Sequence, residues 1–498
     1  MTEFNTLAYW QQKAASMSFD GRAIINGKRV SSASGEVFDC ISPVDGRILC
    51  EVASCDHKDV NDAVRVAREK FNSGVWADRS PAERKTTLLK FAALIKEHGE
   101  ELALTETLDM GKPISDSTTV DVNATVRAIQ WTAEAIDKLY DEVAPTSNKE
   151  LGLVTREPVG VVAAIVPWNF PMIMAAWKLA PALAMGNSVI LKPSEKSPLT
   201  ALKFAELALE AGIPEGVLNV LPGFGHTAGK ALALHDDVDT LVFTGSTAIA
   251  KQLMVYAGES NMKRVWTEAG GKSPNIVFAD APDLDRAAQA AAAAICFNQG
   301  EVCTAGSRLL VEDSIADEFI VKVREAVAQW QPGNPLDPKT NVGAIVDKAQ
   351  QGRVLQYIET GKQEGATLAL GGECCFQETG GCYIQPTVFE DVVPAMTIAK
   401  EEIFGPVLSV IRFKDEADAL RIANDTIYGL AAGLWTNDLT RAHTFARKLR
   451  AGSVWVNDYD MGDMTAPFGG YKQSGNGRDK SLHAFDKYSE IKATWFRL

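Results

Sequence analysis

The sequence predicts an α/β protein built on two parallel sheets, each covered by helices, and three observations lead there. Several short runs are apolar without alternation, Val161-Val162-Ala163-Ala164-Ile165-Val166 being the clearest, and a strand hidden on both faces belongs to a parallel sheet between helices. From Val159 onward such runs alternate with segments of helical spacing, and a second series starts after Pro274. The 498 residues exceed what one ordinary core accommodates, so two or three domains are expected.

Residues 1 to 60 open with a short helix around Leu7 to Ala15 and continue in turn-rich segments such as Ser42-Pro43-Val44-Asp45-Gly46, which suit small strands wrapping another domain. Asp59 to about Tyr140 reads as helical. Ala63, Val64, Val66 and Ala67 recur at helical spacing, and Ser80-Pro81-Ala82-Glu83 supplies an N-cap, a proline at the first position and an acid at the third. Residues 151 to 158 alternate like an exposed strand and suggest an excursion from the main body. Buried strands follow over Val161 to Val166, Asn187 to Leu191, Val217 to Leu221 and Thr240 to Phe243. The second series places strands at Asn275 to Phe278, Ser307 to Val311, Val407 to Phe413 and Ser453 to Asn457, with helices over Leu284 to Phe297 and Ala316 to Trp330.

Composition narrows the function classes. Hydrophobic residues at 46% and charged ones at 23% are ordinary for a globular enzyme. A formal net charge of -14 without a dense Lys/Arg block speaks against nucleic-acid or anionic-membrane partners. Met1-Thr2-Glu3-Phe4-Asn5 carries an acid and no basic-then-apolar pattern, so it does not read as a secretory signal. The closest approach to a membrane segment, Ala287 to Phe297, is too short to cross a bilayer. The eight cysteines lack metal-ligand spacing, and a chain of this size needs no disulfide framework. A cytoplasmic setting and no metal are expected, with Cys374, Cys375 and Cys382 in a surface loop.

Parallel sheets bind ligands at the carboxyl ends of their strands. Those ends carry polar or glycine residues here: Pro167-Trp168-Asn169-Phe170, Lys192-Pro193-Ser194-Glu195, Pro222-Gly223 and Thr244-Gly245-Ser246. Gly245-Ser246-Thr247 leading into a helix can set backbone N–H groups beside a pyrophosphate. One thiol, Cys303, follows Gln299-Gly300-Glu301-Val302 and precedes Thr304-Ala305-Gly306. A cysteine is ordinarily a small buried residue. As a nucleophile it needs partial exposure, a lowered pKa and donors for the oxyanion it creates.

Four motifs resolve that choice. Pro167-Trp168-Asn169-Phe170-Pro171, Glu268-Ala269-Gly270-Gly271-Lys272-Ser273-Pro274, Gln299 to Arg308, and Glu402-Ile403-Phe404-Gly405-Pro406 resemble the aldehyde dehydrogenase superfamily in order and separation, and the likeness runs to Trp495. The resemblance implies two Rossmann-like domains and a small β oligomerisation element: residues 1–140 and 159–270 for the cofactor, 271–484 for catalysis, 141–158 and 485–498 for assembly into a dimer or tetramer. It implies oxidation of a small-molecule aldehyde to its acid with NAD, NADP serving less well. Cys303 becomes the nucleophile, the Asn169 amide and the Cys303 N–H hold the oxyanion, and Glu268 is a general base whose pKa its apolar surroundings raise. Lys178 matches a lysine that helps move protons, whereas Asp479, shorter than the acid of many relatives, has no assured relay role. Lys192 and Glu195 match the pair on the adenosine ribose, and Glu195 disfavours a 2′-phosphate. Trp168 and the Gly245-Ser246 turn match pyrophosphate and adenosine contacts, Glu402 the nicotinamide ribose, and Phe404 packs on the nicotinamide.

The same resemblance lines a substrate tunnel with Phe170, Ile173, Met174, Trp177 and Phe468. Asp458-Tyr459-Asp460-Met461-Gly462-Asp463 places three acids near its expected mouth, with Asp458 singled out and Asp121 a second candidate there. An aldehyde with a distant cation is therefore expected, an omega-amino, guanidino or gamma-glutamylamino aldehyde of polyamine or arginine breakdown. The C-terminal run is similar to the gamma-glutamyl-gamma-aminobutyraldehyde dehydrogenase branch. Four alternatives stand beside this, one of them a binding module without turnover. A broad-specificity aliphatic enzyme leaves the acids as solvated surface. A CoA-acylating enzyme has no use for the base Glu268, and a non-catalytic relative has no reason to keep Cys303, Glu268 and Asn169 together.

Overall fold

The computed structural model describes residues 6–498; Met1–Asn5, on which the reading of the leader rests, lie outside them. Two seven-stranded sheets form the body. The first runs in the order Arg264–Glu268, Thr240–Thr244, Val161–Ile165, Ser188–Lys192, Leu218–Val220, Ala23–Ile25, Lys28–Val30. Its first five strands are parallel, and the last two join antiparallel at the edge. The small early strands therefore extend this sheet rather than only wrapping it. The second sheet runs Thr367–Leu370, Thr387–Glu390, Val407–Phe413, Arg308–Glu312, Pro274–Val277, Ala431–Trp435, Ser453–Val456, antiparallel only at Thr367–Leu370.

Burial explains why these segments are strands. Val161, Val162, Ala163 and Ala164 are fully enclosed, each larger side chain contributing about 1.5–3 kcal/mol by leaving water. The helices Pro171–Ala184 and Leu199–Ala211 cover the first sheet and share a core with Trp10 and Ala14 of the helix Leu7–Ser16. Ser80 and Glu83 form a reciprocal cap at the start of the helix Pro81–Glu97, as the sequence predicts.

The excursion is a three-stranded sheet, Glu142–Ala144 and Glu150–Pro158 with Ser489–Arg497, all antiparallel. One expectation changes. Cys374–Cys375 pairs with Tyr383–Ile384 in a short hairpin, and Cys382 is buried, because the segment packs on the second sheet's core. All eight cysteines are free thiols. Among the described residues no helix is long and apolar enough to cross a membrane.

Candidate active site

Three adjacent parallel strands of the first sheet end together. Thr240–Thr244 delivers Gly245 and Ser246, Val161–Ile165 delivers Trp168, Asn169 and Phe170, and Arg264–Glu268 delivers its own last residue. Adjacency of strands far apart in sequence is what gathers these motifs. Cys303 approaches from the second sheet, after the helix Leu284–Cys296.

The approach is sterically fixed. Asn298, Gln299 and Gly300 take φ of 48°, 57° and 70° in succession, an uncommon run of left-handed residues. A Cβ at Gly300 would lie 2.4 Å from the Gly405 carbonyl, and one at Gly271 would lie 2.4 Å from the Cys303 carbonyl oxygen. Backbone thus meets backbone where the three motifs touch. Side chains hold the turn: Gln299 Oε1 accepts from Gly343 N at 3.0 Å and Glu301 Oε1 from Val346 N at 3.1 Å. Asn169 Nδ2 donates to the Glu301 carbonyl at 2.8 Å, leaving its second N–H for another acceptor.

Cys303 stands where two cavities meet. One, of about 280 Å³, is lined by Trp168, Gly245, Ser246, Glu402 and Phe404 as well as Glu268, Asn169 and Asp479. The other, of about 480 Å³, opens outward between Ile173, Val120, Trp455, Met461 and Lys480. Phe170, Met174, Trp177 and Phe468 border both.

The electrostatics agree with a base and disagree with a preformed thiolate. Glu268 is 3% exposed and neither carboxylate oxygen has a partner; burial, then the nearby Asp479 anion, pushes its pKa well above the usual carboxylate range. The Cys303 thiol is also pushed up, by burial and by the carboxylates of Glu402, Asp460 and Glu268. The expected lowering is therefore absent from the protein's own groups, because burial dominates and the nearby carboxylates add to it. Lys178, almost fully buried, bonds Asp479, whose other oxygen is bonded by Lys487. Burial raises the Asp479 carboxyl, but the two ammoniums outweigh it and hold it below the ordinary value.

Two sequence-based placements at the tunnel mouth are corrected. Asp121 is fully buried and bonded to Lys112 Nζ at 2.6 Å, so it faces inward while its neighbour Val120 lines the tunnel. Asp458 pairs with Arg286 at 2.7 Å and does not line the tunnel. The acid that does is Asp460, which accepts from Thr304 Oγ1 at 3.3 Å and which desolvation lifts to about 6. Lys480, Trp455, Lys487 and Glu301 were not singled out in the sequence; no local pattern separates them from ordinary surface or core residues.

The residues for a dinucleotide fit. Ser246 caps the helix Thr247–Glu259, offering free N–H groups to an anion, and the buried hydroxyl of Thr244 in the same cavity has no partner. Glu402 receives Gly271 N at 3.0 Å, and burial raises it to about 7. Trp168 and Phe404 meet edge to face with centroids 5.2 Å apart. Lys192 and Glu195, 3.8 Å apart, sit at the end of the neighbouring strand, outside the lining of this cavity; Lys192, lowered by burial to about 8, donates to the Pro193 carbonyl.

Comparison with known proteins agrees with this geometry. The model of the aldehyde dehydrogenase family matches residues 30–494. An NADP/NAD-dependent aldehyde dehydrogenase, PuuC, of Escherichia coli (strain K12) is 55% identical, over 99% of each chain. A solved indole-3-acetaldehyde dehydrogenase in complex with NAD+ is 68% identical at a TM-score of 0.98, covering 99% of this chain and 100% of that one. A gamma-glutamyl-gamma-aminobutyraldehyde dehydrogenase from Burkholderia cenocepacia J2315 is 62% identical at a TM-score of 0.97, with the same coverage. The chain belongs to the aldehyde dehydrogenase family and is an NAD(P)-dependent aldehyde dehydrogenase.

Proposed function

We propose that this aldehyde dehydrogenase works through Cys303, Asn169 and Glu268, and that its substrate is an aldehyde with a charged, amine-bearing tail. The observation that carries the assignment of roles is Cys303 at the meeting of the two cavities. Aldehyde enters along the wall of Phe170, Met174, Trp177 and Phe468. The sulfur adds to the carbonyl carbon, and its proton goes to Glu268, whose raised affinity suits it to accept. The free N–H of Asn169, with the Cys303 N–H, stabilises the oxyanion. NAD, held in the cavity of Trp168, Glu402 and Phe404, would supply the hydride acceptor that oxidation of the aldehyde requires. Glu268 passes that proton to solvent and then takes one from the attacking water, which adds to the thioester carbonyl; the Cys303 thiolate leaves and the acid is freed. Lys178 and Lys487, held by Asp479, lower the cost of the Glu268 anion.

Trp168, Gly245, Ser246, Glu402 and Phe404 would hold the dinucleotide, with Lys192 and Glu195 at its ribose. The Glu195 carboxylate favours NAD over NADP through repulsion of a 2′-phosphate. Residues 1–140 and 159–270 serve as the cofactor domain and 271–484 as the catalytic one. The three-stranded sheet of 141–158 and 485–498 exposes Val143, Ile491, Trp495 and Phe496, which suits homo-oligomer assembly. A cytoplasmic setting matches eight free thiols.

The charged tail rests on Asp460, an exposed residue at the tunnel lining whose carboxylate accepts a hydrogen bond from Thr304 Oγ1 and forms no ion pair with the neighbouring Lys480, now in place of Asp458 and Asp121. PuuC and the aminoacetaldehyde dehydrogenase of Pseudomonas aeruginosa, 44% identical over 99% of each chain, support it. The aromatic walls and the indole-3-acetaldehyde relative favour a second reading, a neutral aromatic aldehyde. A panel of aminobutyraldehyde, butyraldehyde and indole-3-acetaldehyde decides: a higher kcat/KM for the cationic aldehyde than for its neutral match upholds the first reading, and its absence removes it.

A further inference from the structure

A second cluster of ionisable groups lies behind the tunnel wall, and the reaction described above does not use it. Lys112, Glu106 and Asp121 are each fully buried. Lys112 Nζ lies 2.6 Å from Asp121 Oδ1 and 3.2 Å from Glu106 Oε1, and 4.2 Å from the centroid of the Phe170 ring. Burial works against the ammonium, but the two carboxylates outweigh it and keep it charged.

What the ammonium touches is the hinge of the site. Phe170 follows Asn169 and immediately precedes the helix Pro171–Ala184, which carries Met174, Trp177 and Lys178. Glu106 Oε2 accepts from Met172 N at 3.2 Å in the first turn of that helix. The Phe170 ring stacks on Phe297 with centroids 6.2 Å apart, and Phe297 leads into the left-handed turn before Cys303. Asn298 Nδ2 donates to the Asn169 carbonyl at 3.1 Å. On the other side, Asp121 ends the turn Ser117–Asp121 that holds Val120 in the opposite tunnel wall.

We infer that Lys112 is a positioning residue for the aldehyde reaction: through its contact with the Phe170 ring it fixes Asn169, and through Asp121 the Val120 wall, so that the oxyanion donor and the nucleophile keep their relative placement. A buried ion cluster need not stabilise a fold, since its desolvation offsets its attraction. A cation over an aromatic face does restrain the ring.

The inference rests on the tunnel assignment but not on the substrate's charge, so the assay uses a neutral aldehyde, butyraldehyde, with NAD. Lys112→Met leaves Asp121 without its cation, and both Tm and kcat should fall. Lys112→Met with Asp121→Leu removes the ammonium and its nearer carboxylate, and leaves Glu106, which burial drives toward its neutral form, bonded to Met172 N. The double variant should regain most of the lost Tm yet keep a kcat lowered by about 100-fold, the scale of a small misplacement of reacting groups, with the KM for NAD little changed. Phe170→Leu removes a tunnel-wall side chain and lowers kcat in either background, but the loss should be several-fold smaller in the double variant than in the native chain, because the restraint acts through that ring. Recovery of kcat together with Tm in the double variant would show a purely structural cluster and overturn the inference, as would full additivity of Phe170→Leu. Failure of the charged-tail reading would appear only in the ratio between aldehydes and leave these outcomes unaffected.

Discussion

Lys178 Nζ bonds Asp479 Oδ2, and Lys487 closes on the other oxygen of the same carboxylate. The two ammoniums hold that carboxylate deprotonated. It therefore acts as a fixed anion in the wall beside Glu268 rather than as a proton carrier.

Removing that anion has a signed consequence. Asp479 is, after burial, the largest cause raising Glu268, and Glu268 must lose its proton to activate water. In Asp479→Asn the base ionises at lower pH, so the acid limb of the pH–rate profile moves to lower pH. The variant also leaves two buried ammoniums unpaired and should lose about 3–5 kcal/mol in denaturant titration. An unmoved acid limb would separate Asp479 from the base.

Glu268→Gln keeps the shape and abolishes proton acceptance. Turnover should fall by about 10²–10⁴, with acyl-enzyme accumulating on Cys303. Intact mass spectrometry after mixing with aldehyde and NAD reads the adduct; an unmodified chain would put the loss at transfer of the thiol proton instead, and turnover at the native rate would contradict both roles of Glu268.

Asn169→Ala removes the oxyanion donor and should cost about 10²–10³ in kcat. Cys303→Ala should abolish NADH formation while NAD still quenches the protein's fluorescence. Residual turnover near the native rate in either variant would reassign the site.

Asp460 and Asp458 divide the charge question. Asp460 is lifted by desolvation to about 6, so preference for an aminoaldehyde over its neutral match should grow as pH rises through about 6. It should vanish in Asp460→Asn. Asp458→Asn should leave the preference alone, because that carboxylate is paired with Arg286 outside the tunnel. The opposite pattern would return the cation site to the loop.

Trp495, 62% exposed, and Ile491, 66% exposed, lie on the antiparallel sheet at the C-terminus. Replacing both by charged residues should shift the light-scattering mass toward that of a single chain without a change in the Tm of the body. A mass unaffected by the change would place the oligomer contact elsewhere.

Much of this was readable before any coordinates. Continuous apolar runs announced the parallel sheets because a strand covered on both faces has no polar side, and the strand ends named the motifs because ligands gather there. The sequence predicts small strands in the first 60 residues, but not that Ala23–Ile25 and Lys28–Val30 complete the first sheet, because three-residue strands in a turn-rich segment carry no pattern that names their pairing partner. Asp121 and Asp458 were misplaced for a related reason: an acid near a wall in sequence points either way, and helix phase and the nearest cation decide.

The sequence by itself determined the chemistry, since Cys303, Glu268 and Asn169 are residue types that acyl chemistry requires, set in motifs specific enough to name a family. Only the tertiary structure decided their electrical setting: that the thiol carries a raised proton affinity, that Asp479 is clamped, that Asp460 rather than Asp458 lines the tunnel, and that Lys112 stands behind Phe170. Proton affinities and pairings depend on burial and on distances between segments hundreds of residues apart, and one-dimensional spacing does not carry those quantities.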